Sequence, residues 1–569
     1  MKKTLLTAAI ATLLGVTGCQ QYLDKQPLDT PSAAVYFNNE PEMTLALTGV
    51  YNASYWVTGN VPAQVFYDLY TDIGLERQPG IASGSYDATN GTVSNYWTFM
   101  YQTVARANVV IAGMERGKAA VAPATFNRIQ AEAKVLRAWA YYHLIGLFGD
   151  VPFYTDPLTT DQFYTLGKTD KNKIADYLLT DLDDAATKLD WVLKDRGRVN
   201  RGVAIGTQAK LALLLGRYQV AADAARKIID GNAYALNPNF STLFTLAGQQ
   251  ANAGKEIMFE FLLPTDQANP VSFIALGQGS RTLSGQSGRF PLQALVDHFE
   301  AIDGKRIDES KVYDAAKPRE KRDPRLKFTV SMDGDTITAT ASSVRRRAVF
   351  NIYDATTPVF NFNTNAYATG TNVDLTNAFG PVKNGMGLLW SKYTLDDAQD
   401  MFISKTGFAY MRYAEILLTY AEAKIELNQI DASVVTAMNA VRKRAGMPNV
   451  ATELLTSQAK MRQLVRREKV VELANEGIHL FDMRRWKTGN LGLNTFVYGA
   501  PLARAKSAPL PSFGAAGSDR DLNDIPDYTN GDALRFKREQ RTFLDRNYLF
   551  PIPQRELDVN KVLTQNQGW

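Results

Sequence analysis

Apolar side chains recur at spacings of three and four along four stretches of the chain, and each stretch predicts a helix with one buried stripe. In the first, Asn127 to Phe148, the stripe is Ile129, Ala133, Leu136, Ala140 and Leu144, thickened by Trp139, Tyr141 and Tyr142. Gly149-Asp150-Val151-Pro152 should end it, because glycine closes a helix well and proline cannot continue one. From Gly206 to Ile229, Ala209, Leu213 and Leu214 lead to Gly216-Arg217-Tyr218, and Ala221, Ala225 and Ile229 follow: a helix, a tight turn and a second helix. The third stretch repeats this, with Ile416, Tyr420, Ala423 and Leu427, a break at Asn428 to Asp431, then Val434, Met438 and Val441. The fourth, Met461 to Arg485, alternates Arg462, Arg466 and Arg467 with Glu468, Glu472 and Glu476, whose spacing of four puts the carboxylates on one face.

Between these blocks the pattern is lost. Residues 264 to 290 and 340 to 390 are rich in Gly, Ser, Thr, Asn and scattered aromatics, and predict long loops with a few short strands. Phe360-Asn361-Phe362-Asn363-Thr364-Asn365 alternates rings with amides and hydroxyl, and Gly277 to Gly288 carries four glycines. Long loops in a compact chain are functional or disordered, and the aromatic content argues for the first. The helix pairs resemble tetratricopeptide units, which pack through small residues and cannot bury their apolar faces alone; unrelated hairpins in an all-helical domain fit the pattern as well.

The amino terminus changes the picture. Lys2 and Lys3, an apolar run from Leu5 to Val16 and Thr17-Gly18-Cys19 read as an export signal. The run is shorter than the ~20 apolar residues that span a bilayer. It resembles a bacterial lipoprotein signal, with cleavage after Gly18 and lipidation of Cys19, the only cysteine of the 569 residues. Disulfides and thiolate metal sites are thereby excluded, and a 45% hydrophobic chain must rely on its packed core. Removing Lys2 and Lys3 with the leader lowers the formal charge of +5 by two, which leaves a near-neutral body without the basic surface a nucleic acid requires.

Catalytic chemistry has few footholds. There are three histidines, His143, His298 and His479, and no HExxH, G-x-S-x-G or phosphate loop. Glu468 and Glu472 could form a glycosidase pair, but the interleaved arginines should hold both ionised, whereas a general acid needs a raised pKa. Asp519, Asp521 and Asn523 have the D-x-D-x-N spacing of a calcium loop, yet Asp524 stands where glycine belongs and Asn530 where a bidentate glutamate would. Aromatic rings, at 11% of residues, are what the chain supplies in quantity. Flat faces suit sugars, whose C–H groups are apolar and whose hydroxyls need amides and carboxylates nearby. Asp68, Asp72, Asn361 and Asn363 could supply the polar partners. The candidate ligand residues are Trp56, Asp72, Tyr86, Trp97, Trp390 and Tyr393.

A series of ordered motifs runs the length of the chain. It starts at Cys19-Gln20-Gln21-Tyr22-Leu23-Asp24 and continues through Trp97 to Asn108, Ala131-Glu132-Ala133-Lys134, Leu136-Arg137-Ala138 and Leu147 to Pro152. Asp303-Gly304-Lys305-Arg306, Arg322-Asp323-Pro324-Arg325, Arg412-Tyr413-Ala414-Glu415 and Tyr420-Ala421-Glu422-Ala423 follow. Asn439 to Gly446, Glu472-Leu473, Glu476-Gly477, Phe481-Asp482, Arg484-Arg485-Trp486, Pro551-Ile552-Pro553 and Thr564 to Trp569 complete a series that resembles the SusD/RagB family of outer-membrane nutrient-binding lipoproteins. His479 stands where arginine is more usual, and Trp569 where tyrosine is. The resemblance implies a mainly helical fold, tetratricopeptide-like pairs as scaffold and loops as ligand face. It divides the chain into a signal peptide (1–18), a lipidated tether (19–35), an N-terminal part (36–260) and a C-terminal part (261–569) packed as one unit. It also implies a non-enzymatic, cofactor-free protein, lipid-anchored in the outer membrane and facing outward, that hands an oligosaccharide to a SusC-like TonB-dependent barrel. A peptide-binding member or a glycan-cleaving enzyme are the alternatives. The stretches 55 to 100 and 264 to 400 match the family least, and those would select the ligand.

Overall fold

The computed structural model describes residues 36–569 except 60, 79, 192–194, 263–272 and 504–508. The signal peptide, Cys19 and the tether lie outside the described residues. Among those described, no helix is long and apolar enough to cross a membrane.

Helices come first and stack in chain order. We number the longer ones α1 (Glu40–Ser54), α2 (Gly91–Met114), α3 (Pro123–Phe148), α4 (Lys171–Thr187), α5 (Arg201–Leu214), α6 (Tyr218–Gly231), α7 (Tyr413–Glu426), α8 (Ala432–Arg444), α9 (Gln458–Leu473) and α10 (His479–Trp486). From α1 to α8 each packs on the next, and α9 also packs on α7. The two helix pairs expected from the alanine-rich repeats are α5/α6 and α7/α8. Close approach is real at α5: a Cβ on Gly202 would stand 2.3 Å from the Tyr234 hydroxyl, and one on Gly206 2.4 Å from Met411 Sδ. Helix α3 ends where Gly149 turns to φ +79° and donates its N–H to Ile145 at 2.9 Å. From Ala131 onward α3 is buried at nearly every position, on all sides and not on one stripe. Its polar residues are accordingly paired: Glu132 accepts from Tyr51 at 2.6 Å, and Arg137 reaches Asp181 at 2.6 Å.

The fourth expected helix is two. It breaks after Leu473, and α10 restarts at His479. The cause lies on another part of the chain. The Asp68 carboxylate accepts the backbone N–H groups of Glu476 and Gly477 at 3.1 Å and of His479 at 3.0 Å, diverting them from the helix ladder. Asn475 and Gly477 take φ +62° and +74° to present them.

The break gathers a charge centre in the core. Arg325 Nη1 lies 2.5 Å from Glu468 and 3.0 Å from Glu472. Arg442 reaches Glu468 at 3.0 Å, Arg444 pairs with Glu472, and Lys392 Nζ lies 2.5 Å from Glu476. Each of these side chains is 4% exposed or less. Two longer strands feed the centre: β1 (Ile257–Phe261) and its antiparallel partner Phe408–Arg412, which delivers Arg412 between Glu256, Glu472 and Glu476. A single apolar cluster runs through this region from Phe37 to Ile552.

The stretch from 340 to 390, expected as long loops with a few short strands, enters a four-stranded sheet over residues 336–371. Strands β2 (Thr336–Ala341), β3 (Val344–Val349), β4 (Thr356–Asn361) and β5 (Ala366–Thr371) form an antiparallel meander, each pairing with its neighbour. Ser342 and Ser343, at φ +49° and +62°, make the two-residue turn whose twist suits a hairpin.

Candidate ligand-binding face

The meander exposes one decorated face. Directly opposed residues in antiparallel strands point the same way, and the register sets Thr340 against Arg345, Thr338 against Arg347, Arg347 against Phe360, and Phe360 against Tyr367. The Phe360 ring lies 4.9 Å from Phe362, nearly perpendicular, and 4.9 Å from Tyr367. Arg345 sits 4.3 Å over Phe362, and Arg347 5.1 Å over Phe360. Arg345 is also tied to Asp397 at 2.7 Å, whereas among the described residues Arg347 donates only to the Tyr367 hydroxyl, at 3.4 Å. Tyr367 is 64% exposed. Guanidinium–ring contacts of this kind are worth ~0.5–1 kcal/mol at exposed sites, enough to keep the rings standing in an orderly array.

A small slot of about 40 Å³ lies beside β2, lined by Thr338 and Thr340 of this face, by Ile337 and Ala339 of the opposite one, and by Ser280, Trp390, Gln399 and Met401. Trp390 is 1% exposed, and its indole N–H has no hydrogen-bond partner among the described residues. A buried donor left unpaired costs ~1–3 kcal/mol, a deficit that a water or a ligand hydroxyl at the slot removes. The face therefore offers flat rings, hydroxyls, guanidiniums and one unsatisfied donor, the groups that stack on and hydrogen-bond to a polyhydroxylated chain.

Of the six residues singled out from the sequence, Trp390 alone borders this slot. Trp56 is buried, donating to Thr103 Oγ1 at 3.1 Å with its ring edge-on to His143. Tyr86 is packed against Trp569 and Phe550. Tyr393 is a core ring stacked 5.3 Å from Phe408, its hydroxyl accepting the Ala409 N–H at 3.2 Å. Asp72 is an internal ion partner of His479 at 2.7 Å. Trp97 is 4% exposed and packs on Phe148, at the edge of a second cleft of about 360 Å³ shared with Tyr101, Tyr154 and Phe163. The two concavities have no lining residue in common. These rings are buried because their helices and turns face the core, which a count of aromatics does not reveal. Asn361 and Asn363 stabilise the β4–β5 turn, with the Asn363 N–H donating to Asn361 Oδ1 at 2.9 Å. The sequence reading noted Phe360 and Phe362 only as part of an alternating segment and did not single out Arg345, Arg347 or Tyr367. Their signal was present: both arginine and phenylalanine recur at a spacing of two, the period of one strand face.

The other candidates resolve into structure. Glu468 and Glu472 are enclosed; burial alone would push their carboxyls up, but Arg325 and Arg442 around Glu468, and Arg444, Arg412 and Arg325 around Glu472, hold both below the usual range. That keeps them ionised, the wrong state for a general acid. Asp521 accepts from Arg306 at 2.9 Å and from the Gly517 N–H at 2.9 Å, and Asn523 accepts from Arg466. The presumed calcium loop is a short capped helix tied to arginines, and no cluster of three or more His, Cys, Asp or Glu among the described residues could hold a metal. His143 is buried between rings, and burial pulls it down to about 3. The departure at His479 has a reason in its pairing with Asp72, and Trp569 is docked by donating to the Arg546 and Leu549 carbonyls at 3.0 and 3.1 Å.

Comparison with known proteins agrees with this architecture. Residues 251–569 match the model of the SusD family, and residues 21–213 match a family described as starch-binding and associating with the outer membrane. Two SusD-like proteins of Formosa agariphila are 25% and 26% identical, over 82% and 86% of this chain and 87% and 92% of theirs. Among solved structures, a SusD-like carbohydrate-binding protein of Bacteroides fragilis superposes with a TM-score of 0.72 at 24% identity, covering 93% of this chain and 99% of that one. A laminarin-binding SusD-like protein gives 0.65 at 20% identity, covering 94% and 100%. With a family match over more than half its length and the same mainly helical fold, the chain belongs to the SusD family.

Proposed function

We propose that this protein binds a glycan on the β2–β5 face without altering it and passes it to a SusC-like TonB-dependent barrel in the outer membrane. The observation that carries the reading is the array of half-buried Phe360 and Phe362 with exposed Tyr367 on the sheet, with the slot at Trp390 beside β2. The carbohydrate-binding and laminarin-binding descriptions of the structural neighbours support it, as does the outer-membrane association named for the family matching residues 21–213. Acyl chains on Cys19 would anchor the protein, each buried methylene adding ~0.8 kcal/mol, with the body on the exterior and residues 36–260 and 261–569 acting as one unit. Delivery demands release, so affinity should be micromolar to millimolar, about −8 to −4 kcal/mol. Affinity electrophoresis against a polysaccharide panel tests the reading. Retardation without product formation is the expected result; release of oligosaccharides would make the protein an enzyme, and indifference to every glycan would favour a peptide ligand.

A further inference from the structure

The ligand's charge follows from a second group of residues beside the slot, and the argument rests on the glycan-binding reading above. Ser280 lines the slot, and the next residue, Arg281, lies 5.3 Å from the ring centroid of Phe379. Arg77 lies 4.7 Å from the same ring. The two guanidiniums are therefore no farther apart than the sum of those distances. Phe379 is 52% exposed, so the group opens to solvent.

Neither guanidinium has a carboxylate within ion-pair distance among the described residues. Arg77 donates one N–H to the Gln286 carbonyl at 3.0 Å. Arg281 Nε is buried and makes no hydrogen bond among the described residues. The nearby carboxylate of Asp374 is committed elsewhere, accepting from Ser280 Oγ at 2.5 Å and from the Arg281 backbone N–H at 2.8 Å. A third guanidinium, Arg538, donates to the Arg77 carbonyl and keeps Nη1 buried without a partner; its nearest carboxylate, Glu539, stands 3.9 Å from Nε. Burial, and then the neighbouring charge of Arg77, pull the Arg281 guanidinium below its ordinary range. The charge centre in the core differs. In the core, Arg325, Arg412 and Arg467 each meet carboxylates at 3.0 Å or closer.

We infer that the glycan bound at this face is anionic, with a carboxylate or sulfate group seated between Arg77 and Arg281 and its sugar ring against Phe379. Guanidinium forks match planar carboxylate and tetrahedral sulfate oxygens at two points each, with a gain in both strength and orientation. The array on the sheet repeats the chemistry on a smaller scale, since among the described residues Arg347 also lacks a carboxylate and meets rings and a phenol.

The test uses the full chain and three polysaccharides: polygalacturonate for carboxylate, carrageenan for sulfate and laminarin as the uncharged reference. Isothermal titration should show one of the polyanions bound at least tenfold tighter than laminarin, weakening as salt rises, and which one identifies the anion. The double variant Arg77→Gln/Arg281→Gln should lose that advantage, whereas Arg116→Gln, on a distant exposed arginine, should keep it. Arg281→Gln alone is the second variant, because its side chain holds no ion pair in the fold, and thermal melting checks that each protein is folded. Equal affinity for laminarin, or equal losses in Arg116→Gln and the double variant, would overturn the inference while leaving glycan binding intact. Failure to bind any of the three and any glycan of the wider panel would remove both.

Discussion

Arg412 grips Glu476 at two points: Nε lies 2.6 Å from Oε2 and Nη2 2.7 Å from Oε1, with both side chains sealed from water. This fork joins the end of the strand before α7 to the break between α9 and α10, and Lys392 closes it from a third direction.

Removing one partner from such a pair strands a charge, at a cost of ~3–5 kcal/mol. Glu476→Gln should lower unfolding free energy in urea by about that amount. Arg412→Met/Glu476→Leu together should cost less than the two single changes added, because the two charges of the fork leave together, while Glu256, Glu472 and Lys392 lose a partner in either case. Strict additivity would mean that the fork is not a coupled unit.

Gly477 should be nearly irreplaceable. An added Cβ would stand 2.4 Å from the Gln64 carbonyl oxygen, at φ +74°, so Gly477→Ala should destabilise by more than ~2 kcal/mol from backbone strain and the clash combined. Gly49, inside α1 with nothing within 4 Å of its Cβ position, is the control. Gly49→Ala should stabilise by ~0.5–1 kcal/mol, measured by the same urea titrations.

The clamp at Asp68 gives stability a defined pH dependence. Burial pushes the Asp68 carboxyl up from 3.8 to about 6, despite the opposing pull of His479 and three backbone N–H groups. His479 is lowered by burial but raised further by the Asp72 carboxylate, so it ends above its ordinary value. Both groups hold protons in the folded state that the unfolded chain has released, and stability from them is lost as pH rises through about 6 and through the folded histidine value. Asp72, held low, acts in the opposite sense, losing its contribution only as pH falls below 3.8. Relative to Asp68→Asn, the wild type should lose on the order of 3 kcal/mol between pH 4 and pH 8. His479→Gln should remove the upper part of that slope. A flat difference between wild type and Asp68→Asn would contradict the burial argument.

At the ligand face, each stacked ring should contribute ~0.5–1.5 kcal/mol beyond the area it covers. Phe360→Ala/Phe362→Ala should therefore weaken glycan binding roughly 5- to 150-fold with little change in melting temperature. Trp390→Phe, which deletes the unpaired N–H and little else, should weaken it less. Trp56→Phe should leave binding unchanged and lower stability, since its N–H serves Thr103.

The long helices and their pairing were legible because burial on a helix writes a period of three to four into the sequence. Even there, α3 carried more than its stripe predicted, because helices pack around it on every side. The break at Glu476 was invisible: its cause is Asp68, which no local pattern connects to it. The meander was hidden by its composition, since β5 is exposed at every residue and has no apolar alternation to detect. The ring candidates turned out to be buried for a related reason. An aromatic side chain is equally suited to a core and to a platform, and Trp56 and Tyr393 differ from Phe360 only in which way their backbone faces.

The hydrogen bonds from Glu476, Gly477 and His479 to Asp68 span 408, 409 and 411 residues of chain. Contacts that distant form late, after the entropy of closing a very long loop has been met. Until residues 476 to 479 emerge from the ribosome, Asp68 has none of these donors and the fork at Arg412 has no Glu476. The amino-terminal helices must wait for the last fifth of the polypeptide before their base is sealed. A chain that must be threaded unfolded across an inner membrane, as the proposed export requires, gains time from that delay.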